Sequence, residues 1–230
     1  MRVLALDTST EWCSVAVGDG RAWHVRDEHA GQTHSERVLA QVEAVLAEAG
    51  WRLADLDGIA FGAGPGSFTG VRIACGIAQG LAFGADLPVV PVPTLAALAH
   101  AAWLATPHPR IVACLDARMR EVYIAAYARD GDGWTEVAAP AVLPPAAVTA
   151  PAGGDWFGAG SGFAAYPALG MQLRLAGADA AARPTAIAIG ALALPRFAAG
   201  EGVAAEDALP FYVRHRVALT TAERDAGARL

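Results

Sequence analysis

The chain has 230 residues, 54% of them apolar, and a formal net charge of −6. That length and apolar content exceed what a marginal single-core chain needs and allow two small domains, each with a core of its own. Lysine and asparagine are absent, which excludes a P-loop lysine or a Schiff-base lysine, and with arginine as the only permanent side-chain cation the acidic balance argues against a stand-alone grip on nucleic-acid phosphates.

The N-terminus reads as a strand, because Arg2 is followed by only four apolar residues before Asp7 and by no small-residue cleavage pattern, so the expected location is cytoplasmic. Residues 3–25 run apolar strand, Asp7, short turn, alternating strand, Asp-Gly turn and third strand. Thr33 and Glu36 then have capping-box spacing and predict a helix over 33–49. Val38, Val42, Val45, Leu46 and Ala49 lie on its apolar face, Arg37, Gln41, Ala44 and Glu48 on the other, and Gly50 is its stop. A short strand over 58–61 leads through the loop Gly62-Ala63-Gly64-Pro65-Gly66 into a helix over 67–83. A strand over 87–92 follows, and Thr94 is expected to cap the next helix. The run Ile73 to Ala85 is shorter than a membrane span and is broken by Gln79, so no membrane segment is expected.

Thr106-Pro107-His108-Pro109 then interrupts the chain, since two prolines stop a helix and favour extended geometry. Residues 111–137 repeat the plan of residues 3–25, with Asp116 in the place of Asp7. A duplicated strand-hairpin-strand unit with an acidic first turn predicts two related halves facing one cleft, the plan of the actin-like, ribonuclease H-like α/β fold. The expected division is residues 1–104 for the first subdomain and 105–230 for a shorter second one, with the crossover over 100–110. The tail over 210–217, Tyr212 included, is expected to pack back on the body.

Chemistry is harder to find. Cys13, Cys75 and Cys114 are scattered in apolar runs without C-x-x-C spacing and read as buried free thiols. Ser67 and Ser161 do not fit G-x-S-x-G, and His24, His29, His34, His100, His108 and His215 form no close metal pair. The glycine loop aims backbone N–H groups at one point, so Gly64, Gly66 and Ser67, with Asp7, Asp116 and Arg118 from the two hairpins, are the candidates for a vestigial anion site. Equally, the glycines let strand and helix approach closely, and Arg118 has Asp116 or Glu121 as ion-pair partners. One alternative is a small actin-like phosphotransferase holding Mg-ATP between Asp7, Asp116 and the loop over 64–67, but both hairpins lack the early glycine that phosphate wrapping needs. A peptidase lacks its catalytic constellation. The helix over 67–83 also carries two small-residue stripes, Gly70-Ala74-Ala78-Ala82 and Gly76-Gly80-Gly84. Interior glycines cost about 1 kcal/mol each relative to alanine, which close packing against another helix offsets.

The segments LALDTST, FGAGPGSFTGVRIACGIAQGLAFG, VVPVPTLAAL, LDARMREVY and PFYVRHRVA, in this order along nearly the whole chain, resemble the TsaB (YeaZ) family. The resemblance implies a non-catalytic paralogue of the catalytic subunit TsaD, acting without a cofactor in the formation of threonylcarbamoyladenosine at position 37 of tRNA. Where that paralogue carries a metal-binding H-x-x-x-H, this chain has Thr94 and Leu98. Implied partners are a TsaD-type subunit and a TsaE-type ATPase, with a homodimer when the chain is alone and tRNA met only through the complex. The resemblance places the partner contact on the first two helices, at His34, Arg37, Gln41, Val45, Phe68, Gly70, Val71, Ala74 and Ala78.

Overall fold

A computed structural model describes residues 1–131 and 133–214. β1 (Val3–Asp7), β2 (Trp12–Gly18), β3 (Trp23–His29), β4 (Gly58–Gly64) and β5 (Val89–Pro93) form one sheet in the order β3-β2-β1-β4-β5. β6 (Arg110–Asp116), β7 (Val122–Asp130), β8 (Gly133–Leu143), β9 (Phe157–Ala159) and β10 (Gly177–Asp179) form a second in the order β8-β7-β6-β9-β10. In each sheet the first three strands are antiparallel and the last two join in parallel. The repeat legible in the sequence is therefore a repeat of topology, and Asp7 and Asp116 each close the central strand, opposite Ser14 and Val122.

Helices cover both faces of the first sheet, which is why β1 and β4 are buried at every position and read as unbroken apolar runs rather than alternating ones. α1 (His34–Ala49) and α2 (Phe68–Ala85) pack on one face around Leu4, Leu6, Val15, Ile59 and Phe61. α3 (Thr94–Ala105) and α6 (Ala186–Ala198) lie between the sheets: α6 packs on Val3, Ala5 and Ala60, and α3 gives Leu95, Leu98 and Ala102 to the core of the second sheet. The short helices α4 (Gly162–Ala165) and α5 (Ala168–Gln172) close its far face around Phe163 and Leu169. β3 is an edge strand whose last four residues, Arg26 to His29, are exposed and charged or titratable, a pattern that discourages edge-to-edge pairing.

Several local expectations are corrected. Thr33 precedes α1 but makes no cap bond: its hydroxyl donates to the Ala30 carbonyl at 2.9 Å and accepts from Arg37 Nε at 2.7 Å, so the capping box does not form. Pro93, not Thr94, is the cap residue of α3, and the Thr94 hydroxyl instead accepts from Gly64 N–H at 3.0 Å, tying α3 to the glycine loop. Gln41, expected on the solvent side of α1, is 7% exposed because its amide reaches Glu28 on β3 at 3.1 Å. α2 runs to Ala85 and is long and apolar enough by length and composition to cross a membrane; one of its faces is packed into the first core. Gly50 does stop α1, in the left-handed conformation at φ +68.

The end of the chain also departs from the expected division. α6 and residues 203–211 pack on the first sheet although they follow the second in sequence: Val203 pairs with Val89, the Ala208 carbonyl accepts from Gln79, and Phe211 N–H donates to the Ala63 carbonyl at 2.7 Å. An apolar helix needs a sheet face, and α6 covers the inner face of the first sheet over β1, β2 and β4 while α3 reaches it through Ala97. Of the tail, Val213 packs on the second core, and Arg214 bonds Glu121 at 2.5 Å and the Ala117 carbonyl at 3.1 Å. Residues 215–217, His215 among them, lie outside the described residues.

Candidate functional site

The two Asp-bearing turns face each other, and Arg118 bridges them, 3.4 Å from Asp116 of its own hairpin and 3.4 Å from Glu11 of the first. Arg118 is 77% exposed, so these ion pairs are screened and contribute little to stability. The turn around it is built from Arg118, Met119 and Arg120 at φ +58, +50 and +61, a conformation disfavoured for non-glycine residues. It is closed by Ala117 N–H donating to the Glu121 carbonyl at 3.0 Å and Glu121 N–H donating to the Arg118 carbonyl at 2.9 Å.

Asp7 is in a different environment. It is 1% exposed; its Oδ1 accepts from Ser9 N–H at 3.1 Å and from Ser9 Oγ at 2.8 Å, while its Oδ2 has no hydrogen-bond partner among the described residues. Burial raises its pKa to about 6, the Ser9 hydrogen bonds opposing the shift and Asp27 adding to it. Asp116 is 22% exposed at its side chain and accepts from Arg118 N–H at 3.1 Å.

The glycine loop is largely occupied by the protein itself. Ser67 N–H donates to the Ser9 carbonyl at 2.7 Å, Thr8 Oγ1 donates to the Gly70 carbonyl at 2.6 Å, and Gly64 N–H is held by Thr94. A side chain on Gly66 would meet the Ser9 backbone at 2.5 Å, and one on Gly70 would overlap the Thr8 carbonyl. Here the glycines serve close approach between the loop and the first hairpin. Ser67 caps α2 through Gly70 N–H at 3.3 Å; Ser67→Ala is expected to lower stability by about 1 kcal/mol, measured by denaturant unfolding. All three cysteines are buried and free, and burial pushes the Cys13 and Cys114 thiols up to about 12, which keeps them unreactive.

The helical face expected to meet a partner is phased differently from the expectation. Gly70, Val71, Ala74 and Ala78 are buried against the chain's own sheet, and so are His34, Gln41 and Val45 on α1. The reason is the 3.6-residue period: the Gly70-Ala74-Ala78-Ala82 stripe lies over the first core, which turns Gly76, Gly80 and Gly84 outward. A Cβ added at any of those three glycines would have nothing within 4 Å. Arg37 and Phe68 are exposed, as are Leu39 on α1 and Phe83, at 79%, on α2. The Phe68 ring stacks under the Arg72 guanidinium at 3.3 Å, and Tyr212 from the tail lies 4.9 Å from the same guanidinium. Sequence reasoning did not find the tail at this corner: a segment without periodicity gives no sign of which helix it will cross.

Two five-stranded sheets of identical order, with α3 and α6 between them and paired Asp hairpins at the cleft, define an actin-like, ribonuclease H-like protein. The family described as TsaD, tRNA N6-adenosine threonylcarbamoyltransferase, matches residues 25–215. Two proteins described as tRNA threonylcarbamoyladenosine biosynthesis protein TsaB are similar over nearly their full length. The one from Escherichia coli strain K12 is 43% identical, with 95% of this chain and 96% of that protein covered. The one from Haemophilus influenzae is 40% identical, with 94% and 95% covered. A solved structure of YeaZ from Pseudomonas aeruginosa superposes with a TM-score of 0.86 at 43% identity, covering 92% of this chain and 99% of the other. The chain belongs to the TsaB (YeaZ) family, within the TsaD-like group.

Proposed function

We propose that this chain acts in tRNA N6-threonylcarbamoyladenosine formation as a non-catalytic cytoplasmic subunit that binds and activates a TsaD-type catalytic subunit, with a TsaE-type ATPase joining the pair. The partner packs on the outward faces of α1 and α2, and tRNA is met through the complex. The same face pairs two copies of this chain when the partner is absent. The observation that carries the reading is the outward Gly76-Gly80-Gly84 stripe with Phe83 and Phe68 beside it. Three interior glycines weaken α2, and nothing within the described chain packs on them in compensation; a second helix brought close against the stripe gains the dispersion contacts that offset the cost.

The lack of chemistry of its own is supported by what occupies the reactive positions. Thr94 and Leu98, where the catalytic paralogue has its two histidines, are both fully buried, Thr94 bonded to Gly64 and Leu98 packed in the second core. Asp7 is 1% exposed and accepts from the Ser9 hydroxyl.

Co-expression with the TsaD-type protein of the same cell is expected to give a mixed complex on sizing that transfers the threonylcarbamoyl group to tRNA. The purified chain alone is expected to have no transferase, ATPase or peptidase turnover. Turnover by the isolated chain that disappears in Asp7→Ala would overturn the reading and favour a phosphotransferase.

A further inference from the structure

On the face of the first sheet opposite α1 and α2, a cleft of about 320 Å³ opens between α3, α6 and the β7–β8 hairpin. Its wall includes Ala96 and His100 from α3, Tyr127 and Trp134 from the hairpin, and Leu192 and Arg196 from α6. Its size falls in the range of small-molecule sites, and it has their mixture of apolar wall and few polar groups.

The polar groups are specific. Tyr127 is 4% exposed, and its hydroxyl has no hydrogen-bond partner among the described residues. Such a group is costly when left unsatisfied and calls for an explanation in a native fold. Trp134 Nε1 donates to His100 Nδ1 at 3.1 Å, so in the neutral imidazole the proton sits on Nε2, the nitrogen that remains a donor. Burial, with Arg129 adding, lowers the His100 pKa to about 4, and burial followed by the Glu136 charge raises that of the Tyr127 phenol. Both groups are uncharged at neutral pH.

The charges around the cleft are matched or peripheral. Arg196 is 3.0 Å from Glu201 and donates to the Pro91 carbonyl at 2.6 Å. Arg129 stacks on Trp103 at 4.1 Å and on Trp134 at 5.3 Å, which with the His100 bond holds the Trp134 ring in place. Glu136 is exposed at the rim and repels an anion. A charged ligand would lose its hydration without gaining an unmatched counter-charge on the inner wall, whereas an uncharged ring gains from a fixed aromatic wall.

We propose that this cleft binds a neutral planar heteroaromatic molecule of nucleobase or nucleoside size, its ring beside Trp134 and its polar edge bonded to the Tyr127 hydroxyl. The site goes beyond the subunit role above and is present in the isolated chain, so its test needs no partner protein.

Adenosine and uridine are the probes, with AMP as the charged counterpart, titrated into the ¹⁵N-labelled chain while following the Trp134 indole N–H signal, identified by its loss in Trp134→Phe. Saturable shifts with at least one nucleoside are expected at concentrations up to a few millimolar. Tyr127→Phe is expected to weaken binding about five- to tenfold with an unchanged or raised melting temperature, because it removes an unsatisfied buried hydroxyl. Ala96→Leu, which narrows the cleft, is expected to abolish the shifts in a folded chain. No saturable shift with either nucleoside, equal affinity in Tyr127→Phe, or AMP binding as tightly as adenosine would each overturn the proposal.

Discussion

Gly80→Trp is expected to cut affinity for a TsaD-type partner by about fivefold to more than a hundredfold while the subunit stays folded. Gly80 lies in the middle of the outward face of α2, with open space where its side chain would go. In the free subunit its Cβ meets no neighbour within 4 Å, and tryptophan is a better helix former than glycine by a few tenths of a kcal/mol, so the melting temperature should hold or rise. Against a close-packed partner helix the same ring is an overpacking defect, worth about 1 to 3 kcal/mol by analogy with cores, which is the stated range in affinity.

The inward stripe gives the contrasting result. Ala74 is fully buried against the first sheet, so Ala74→Trp is expected to lower the melting temperature and to affect partner binding only through loss of folded protein. Binding measured by calorimetry beside thermal melts of both variants separates the two faces. If Gly80→Trp and Gly76→Trp were both folded and bound the partner as wild type does, the assignment of α2 to the interface would be wrong, although membership of the family would stand.

What was legible in the sequence follows from how many physical signals each element carried. The duplicated sheets were readable because a buried strand ending in Asp and followed by an alternating hairpin appears twice, and hydrogen-bonded order reproduces that repeat. α1 was readable from a clean apolar period closed by Gly50. α6 was not, because Arg196 is its one charged residue, and an apolar run of that kind does not by itself separate a buried helix from a buried strand. Phase also explains the misplaced contact residues: composition reveals two small-residue stripes on α2, but only the position of Phe61, Leu4 and Val15 beneath it decides which stripe is inward. The unsatisfied hydroxyl of Tyr127 was out of reach for a similar reason, since it depends on what α3 and α6 bring beside β7 and not on any motif.

Asp7→Asn is expected to stabilise the protein at neutral pH and to remove a pH dependence that the wild type shows between about pH 4 and 6. The carboxyl is taken from water into the first half of the chain with one oxygen unpartnered, and its pKa rises from 3.8 to about 6. Below pH 4 the group is protonated in both the folded and the unfolded chain, and no difference arises. Between pH 4 and 6 the folded chain keeps the proton that the unfolded chain has released, so stability falls as pH rises. Above pH 6 the loss is complete, on the order of 3 kcal/mol for a shift of this size. An asparagine keeps an oxygen for the Ser9 N–H and hydroxyl but places an amide beside Gly62, where Oδ2 now sits; leaving that donor unsatisfied returns about 1 to 2 kcal/mol of the gain. The net expectation is a rise of about 1 to 2 kcal/mol at pH 7 and a smaller or reversed difference at pH 4, measured by denaturant unfolding of both proteins across that range. Asp55, held down to about 2 by Arg52, loses its contribution only below the window. A difference between variant and wild type that did not change from pH 4 to pH 6 would mean that Asp7 titrates normally, and that the first hairpin opens to water more than its burial in the fold implies.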